Sequence, residues 1–420
     1  MSIQQSKQSD RSSLVEQLRI HLKAEGYCTE VRRHYPPIAR RFLAYLHDQK
    51  RSAETARPSD VGGFLRREHR AYLKRHGRAP RRVGAWRAEH AAPAQLILRL
   101  VRGQWPVELA PATGREAFHR ELLEAYDAWM RDLRGLAAVT RLDRVRSARR
   151  FLETLGPRGE QSYLRDLEVA DVDSFVQQRS AGMRRISIKY FTGSLRVFLR
   201  FLHASARTAR DLSSAVTSPT LYAYEGIPSA LRLEDVESVL KATRQDRTTA
   251  GCRDYAIIML LATYGLRAGE ITALRLEDID WEREVLHVRH AKTGASTNLP
   301  LLPEPGEALL GYLENARPRT ALREVFLCLH APHRAFKDGS ALYSTIRNRL
   351  TAAGIKLPGK NGPHTFRHAR AVSLLRAGVP PKAIGDILGH RSALSTGVYL
   401  KLATEDLRAV ALDIPTQVSP

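Results

Sequence analysis

The sequence predicts a mainly α-helical protein whose C-terminal part also holds one small antiparallel β-sheet. Three observations carry this. Apolar residues recur at helical spacing over most of the 420 residues, as at Tyr190, Leu195, Phe198, Leu199 and Leu202. Glycine and proline break these runs at residues 103–111 (GQWPVELAP) and at Gly156-Pro157. The period changes to strand-like only once, in EVLHVRH and STNLPLL, which the turn AKTGA joins.

The elements follow in order. In the N-terminal part, ARRFLAYL at residues 39–46 recurs as ARRFLETL at 148–155, an offset of 109. SDVGGFLRR at 59–67 lines up with ADVDSFVQQR at 170–179, an offset of 111. Each copy reads as a basic amphipathic helix, a loop, and an Asp-Val that opens a second helix. Asp60 and Asp171 fall where a helix N-terminus favours a carboxylate. The expectation is two related helical modules in tandem, an extra one at 1–109 and a second at 110–215.

The second module has the helical runs EAFHRELLEAYDAWMRDL, TRLDRVRSARRFLETL, VADVDSFVQQRS and SIKYFTGSLRVFLRFLHAS. The stripe from Tyr190 to Leu202 is expected to be core. Arg184, Arg185, Lys189 and Arg196 lie on the other faces as candidate phosphate contacts. A linker is expected at 216–228.

The domain expected at 229–420 opens with the helices LRLEDVESVLKAT and RDYAIIMLLATYG, then a short helix AGEITALRLEDID. The two strands come next. Helices return in EPGEALLGYLENA, ALYSTIRNRLTAAG, TFRHARAVSLLRAG, PKAIGDILGH and ALSTGVYLKL.

Composition narrows the function. A formal net charge of +23 and a pI near 10.3 favour a polyanionic partner. Residues 1–226 hold 41 Lys+Arg against 24 Asp+Glu, and residues 227–420 hold 26 against 20, so the electrostatic grip is expected in the N-terminal half. Cys28, Cys252 and Cys328 are too far apart for a disulfide framework or a zinc pattern. The polar start MSIQQSKQSD does not read as a signal peptide, and the apolar run YAIIMLLATY is too short for a membrane span. A cytoplasmic protein that binds no membrane is the expectation.

The C-terminal part carries a dispersed set of basic and hydroxyl residues: Arg267 in TYGLRAGE, Lys292 in HAKTGAS, His364 and Arg367 in HTFRH, His390 in LGHRS, and Tyr399 in TGVYLKL. Two arginines can clamp a phosphodiester in bidentate fashion. A tyrosine can attack it, and lysine and histidine can move the protons. No carboxylate cluster is expected to hold metal ions, so no metal or cofactor is expected.

Taken together and in that order, these motifs resemble the catalytic domain of the tyrosine recombinase (phage integrase) family. The resemblance covers roughly residues 229–412, and the helices of 110–215 are similar to the SAM-like core-binding domain of that family. It implies the following roles. Arg267 and Arg367 hold the scissile phosphate of double-stranded DNA. Tyr399 is the nucleophile and forms a 3′-phosphotyrosyl link. Lys292 is the general acid for the leaving 5′ oxygen, with Lys401 and Lys337 as weaker candidates. His364 assists proton transfer, His390 hydrogen-bonds the phosphate or the nucleophile, and His368 is buried or supporting. Glu270 orients an arginine or caps the next helix. A free phenol has a pKa of about 10, so Tyr399 requires nearby cations. Lys401 stands where the family often has a histidine.

The resemblance implies a site-specific recombinase or integrase of a mobile element that works as a tetramer on DNA, of one chain type or with sister recombinases. A type IB topoisomerase-like enzyme and a non-catalytic DNA-binding regulator are the alternatives. The extra module at 1–109 either grips more DNA or meets a sister recombinase.

Overall fold

A computed structural model describes residues 3–106, 110–222, 231–290, 294–357 and 361–389 of the chain. The chain divides into two compact units. One is Val107–Glu225, and the other joins Met1–Pro106 with Gly226–Pro420.

The N-terminal segment folds as four helices: α1 (Ile3–Ala24), α2 (Thr29–Asp48), α3 (Pro58–His76) and α4 (Val83–Arg102). Ile38, Ala39, Phe42, Leu43 and Leu46 line one face of α2 and are buried. That face packs on α1, α3 and α4. Phe42 meets Phe64 of α3 edge-on, with ring centroids 5.3 Å apart. At the start of α3, Asp60 accepts the Arg57 backbone N–H at 2.7 Å and pairs with Arg51 at 3.2 Å. Pro58 enters at the first turn, and Gly77, in the left-handed region, ends the helix.

The unit Val107–Glu225 contains α5 (Gly114–Asp132), α6 (Ala138–Leu155), the single turn α7 (Gln161–Leu164), α8 (Val169–Ser180) and α9 (Arg185–Ala204). Its plan repeats the first: α6 packs on α5, α8 and α9. Phe151 of α6 meets Phe175 of α8 edge-on at 5.1 Å. Asp171 accepts the Glu168 backbone N–H at 3.0 Å and pairs with Arg158 at 2.8 Å.

One residue of the expected core stripe is misplaced by sequence reasoning. Leu195, Phe198, Leu199 and Leu202 are buried, but Tyr190 is 72% exposed. Five residues ahead of Leu195, Tyr190 sits well round the helix from the stripe. The position four residues ahead, Phe191, continues the stripe and packs on Phe175.

The remaining elements are α10 (Leu233–Gln245), α11 (Thr249–Tyr264), α12 (Ala268–Thr272), β1 (Ile279–Asp280), β2 (Val285–Arg289), β3 (Ser296–Pro300), α13 (Pro303–Asn315), α14 (Ala341–Ala352), α15 (Pro363–Arg376) and α16 (Pro381–Ile387). Helix α11 is buried continuously from Ala256 to Leu261, because α10, α13, α14 and α15 surround it. Arg349 of α14 bridges Asp254 of α11 and Asp246 of the preceding loop at 2.8 and 2.7 Å.

The sheet is antiparallel in the order β1-β2-β3, with Leu286 opposite Ile279 on one side and Leu299 on the other. Strand β1 corrects the sequence reading. AGEITALRLEDID is not one helix. It stops at Thr272 and continues through a 3₁₀ turn at Leu276–Asp278 into β1. The Asp278 carboxylate accepts the Arg275 N–H, and the Leu276 N–H binds the Arg323 carbonyl. The second bond comes from far along the chain, so no local pattern predicts it. Among the described residues, no helix is long and apolar enough to cross a membrane.

Candidate active site

The site is built where α11, α12, the β2–β3 hairpin, α15 and the end of α16 meet. Gly265 terminates α11 in the left-handed region and turns the chain so that Arg267 becomes the N-cap of α12. Glu270, one turn on, accepts the Arg267 backbone N–H and its Nη1–H, both at 2.7 Å. Glu270 therefore fills both roles expected of it. It caps the helix and orients the guanidinium.

Arg367 reaches the same place from α15. It is 4% exposed. Its Nη1 donates to the Gly265 carbonyl at 2.8 Å and its Nη2 to the Leu388 carbonyl. Nη2 of Arg267 donates to the next carbonyl, that of Gly389, at 2.9 Å. Two arginines far apart in the chain are thus anchored on consecutive carbonyls of one turn. That turn leads directly to residue 390. Such bonds lock the guanidinium planes, which is the preorganisation that recognition of a phosphoryl group requires.

A second layer ties this turn to the hairpin. His290, at the end of β2 and 3% exposed, faces the Glu270 carboxylate through Nδ1 at 2.7 Å and the Thr297 hydroxyl of β3 through Nε2 at 2.9 Å. With Glu270 ionised, Nδ1 carries the proton and donates. Gly389 packs on the His290 ring: a Cβ there would lie 2.6 Å from Cε1, and the residue has φ of +63°. Glycine is required on both grounds. The Tyr264 hydroxyl donates to the Pro300 carbonyl at 2.8 Å and accepts the Leu302 N–H at 3.0 Å, fixing the end of β3 to α11.

Electrostatics follow from this packing. Burial pushes the Glu270 carboxyl up, but the hydrogen bonds from His290 and from the Arg267 backbone and side chain outweigh it and hold it below its ordinary range. His368, one residue beyond Arg367, is pushed down to about 4 by burial and by the charges of His364 and Arg367. It stays neutral at physiological pH. His364 is exposed at the start of α15, its ring beside those of Tyr343 and His368. Phe366 is fully buried.

Of the six residues singled out in the sequence, Arg267, Arg367 and His364 are described, and the two arginines converge. Lys292, His390 and Tyr399 lie outside the described residues. The flanks of Lys292 are ordered as a hairpin, with the His290 N–H on the Ala295 carbonyl at 2.8 Å. Sequence reasoning misses His290 and Thr297. The only signal for His290 is its place two residues before Lys292 in HAKTGAS.

The candidate phosphate contacts of α9 differ among themselves. Arg184 and Lys189 are exposed. Arg185 donates to the Thr220 carbonyl at 2.7 Å and lies over the Tyr222 ring at 4.9 Å. Arg196 is half-buried and donates twice to the Val216 carbonyl, fastening the following segment. A groove between α6 and α9 adds Arg144, Arg150, Arg179 and the exposed Tyr190, which no sequence pattern groups together.

Comparison with known proteins agrees with this geometry. Residues 229–406 match the family model described as the phage integrase family. The protein named "Putative integrase/recombinase y4gC" from Sinorhizobium fredii is 57% identical over 194 residues, 46% of this chain and 100% of that protein. Tyrosine recombinase XerD of Listeria monocytogenes is 27% identical over 298 residues, 69% of this chain and 97% of that protein. Among solved structures, a lambda integrase tetramer bound to a Holliday junction superposes with a TM-score of 0.53 at 16% identity, covering 77% of this chain and 87% of that one, which shows a shared fold. The paired arginines, the glycine turn that holds them and the extended likeness to sequenced relatives have one reading: the chain belongs to the phage integrase family of tyrosine recombinases.

Proposed function

We propose that this site-specific DNA recombinase holds the scissile phosphate of a duplex with Arg267 and Arg367 while Tyr399 attacks it. One observation carries the reading: both guanidinium groups are anchored on the Leu388 and Gly389 carbonyls, immediately before His390. The Tyr399 oxygen bonds to phosphorus, and the bond to the 5′ oxygen breaks. The phenol proton passes to a base, for which His364 and His390 are the candidates. Lys292 gives a proton to the departing 5′ oxygen. A 5′-hydroxyl of another strand then attacks the phosphotyrosine and restores the phosphodiester. One such bond is exchanged for another, so no nucleotide is consumed. The arginines neutralise charge that develops on the phosphoryl oxygens.

Duplex DNA is the partner. Four protomers, of one kind or with sister recombinases, assemble on two sites, in line with the lambda integrase tetramer. Service to a mobile element and a cytoplasmic location belong to the same proposal.

The test uses a nicked suicide duplex carrying the ends of the DNA element that encodes the chain. A covalent protein–DNA adduct is expected on a denaturing gel. It should disappear in Tyr399→Phe and form about 10²–10³-fold more slowly in Arg367→Ala. Arg367→Lys should not rescue, because an ammonium cannot make the paired contacts. An adduct that persists in Tyr399→Phe refutes the assignment. Exchange between two duplexes separates recombination from relaxation of one.

A further inference from the structure

The catalytic reading leaves the first four helices without a task. Residues 1–106 hold 22 Lys+Arg against 9 Asp+Glu, a net of +13, whereas residues 107–225 hold 19 against 15, a net of +4. The excess is concentrated. From Arg66 to Arg87 there are nine Lys or Arg and one acid, Glu68. This stretch is the second half of α3, its connection to α4 and the first turn of α4. All nine are exposed except Arg67. None of the eight exposed cations has a carboxylate within 4.0 Å among the described residues. A concentration of unneutralised like charge costs stability through repulsion unless a polyanion covers it.

The shape of the patch selects among polyanions. Arg66, Arg70 and Lys74 stand four residues apart on one face of α3, a stripe about 12 Å long at 1.5 Å per residue. A DNA duplex presents one charge per about 1.7 Å of axis, so such a stripe runs beside about seven phosphates. Arg78, Arg81 and Arg82 extend it through the connection.

The aromatic residues here are engaged with each other. Trp86 stacks on His90 at 4.2 Å and Tyr72 lies against His76 at 4.3 Å. Trp86 also meets His69 and Tyr72 of α3 at 5.5 and 6.0 Å, which pins α3 to α4. Rings so engaged are poor stacking platforms for unpaired bases, which argues for recognition of a duplex backbone. The second module places Arg184, Arg185 and Lys189 at the corresponding connection, between α8 and α9.

We infer that the α3–α4 connection of the first four helices is a second duplex-DNA contact, sequence-independent and separate from the catalytic site. It holds DNA through the phosphates by way of Arg66, Arg70, Lys74, Arg78, Arg81 and Arg82.

The experiment measures binding of the full chain to a mixed-sequence DNA duplex by fluorescence anisotropy between about 50 and 200 mM salt. Changing Arg78, Arg81 and Arg82 together to Ala should flatten the slope of log affinity against log salt by about 3, and weaken binding at least about tenfold. Changing the same three to Lys keeps the charge and should keep the slope. Arg66→Ala, Arg70→Ala and Lys74→Ala combined form an independent set with the same expectation, in case the first set unfolds the helices. A parental slope in the folded Ala variants overturns the inference. So does a preference for an RNA duplex of the same sequence that the Ala variants lose. A failed Tyr399→Phe test would leave the slope measurement untouched, so the two readings fail separately.

Discussion

The two helical modules share a skeleton and differ in their surfaces. Phe42 and Phe64 meet at 5.3 Å and 68°, Phe151 and Phe175 at 5.1 Å and 71°. Asp60 and Asp171 each cap a helix and pair with an arginine from the preceding loop. Outside these positions the modules diverge. The first gathers exposed cations along α3 and its connection. The second lines a groove between α6 and α9 with Arg144, Arg150, Lys189 and Tyr190. A few buried contacts are enough to set the helical plan, while the partner's charges are met by residues that carry no packing role and can differ freely.

The largest effects should come from breaking the shared skeleton. Phe64→Ala and Phe175→Ala should each destabilise their own module by about 3–5 kcal/mol, read as lost hydrogen-exchange protection confined to that module. Unequal losses would mean that the two pairs are not equivalent.

Acid should act next, and on the catalytic part. His368 is held near 4 when folded and titrates near 6.5 when unfolded, so the unfolded chain binds more protons between those values. Its contribution is present in full above about pH 6.5 and falls as pH drops through 4, by roughly 3 kcal/mol. His368→Gln should show a shallower decline in thermal midpoint over that range. An identical decline would remove His368 from the account.

Asp60→Ala and Asp171→Ala should cost about 1 kcal/mol each through loss of the helix cap. Urea denaturation monitored in each module checks this, and a cost in one module alone would break the parallel. The smallest effect should be that of Lys189→Ala, which should reduce the salt slope of duplex binding by about one. Arg196→Ala should leave the slope near parental, because that guanidinium is turned to the Val216 carbonyl.

Several features are legible in the linear sequence. The repeat ARRFLAYL/ARRFLETL marks α2 and α6, two helices that bury Phe42 and Phe151 at matching places. TYGLRAGE and HTFRH mark the two arginines, and EVLHVRH and STNLPLL mark the hairpin. Other features are not legible there. An apolar stripe drawn one residue out of phase puts Tyr190 in the core. Strand β1 escapes notice because the Arg323 carbonyl, far along the chain, ends the preceding turn.

The sequence by itself determined the family and the helical plan and singled out the side chains proposed to carry the chemistry, because those readings depend on residue type and on spacing along one helix or hairpin. Only the tertiary structure decided that Arg267 and Arg367 share one turn, that His290 links Glu270 to Thr297, and that Arg66, Arg70 and Lys74 of α3 have no carboxylate within reach among the described residues, whereas Arg67 has Asp48. These are distances between groups remote in the chain. Hydrogen-bond and charge energies depend on such distances, and no linear pattern contains them.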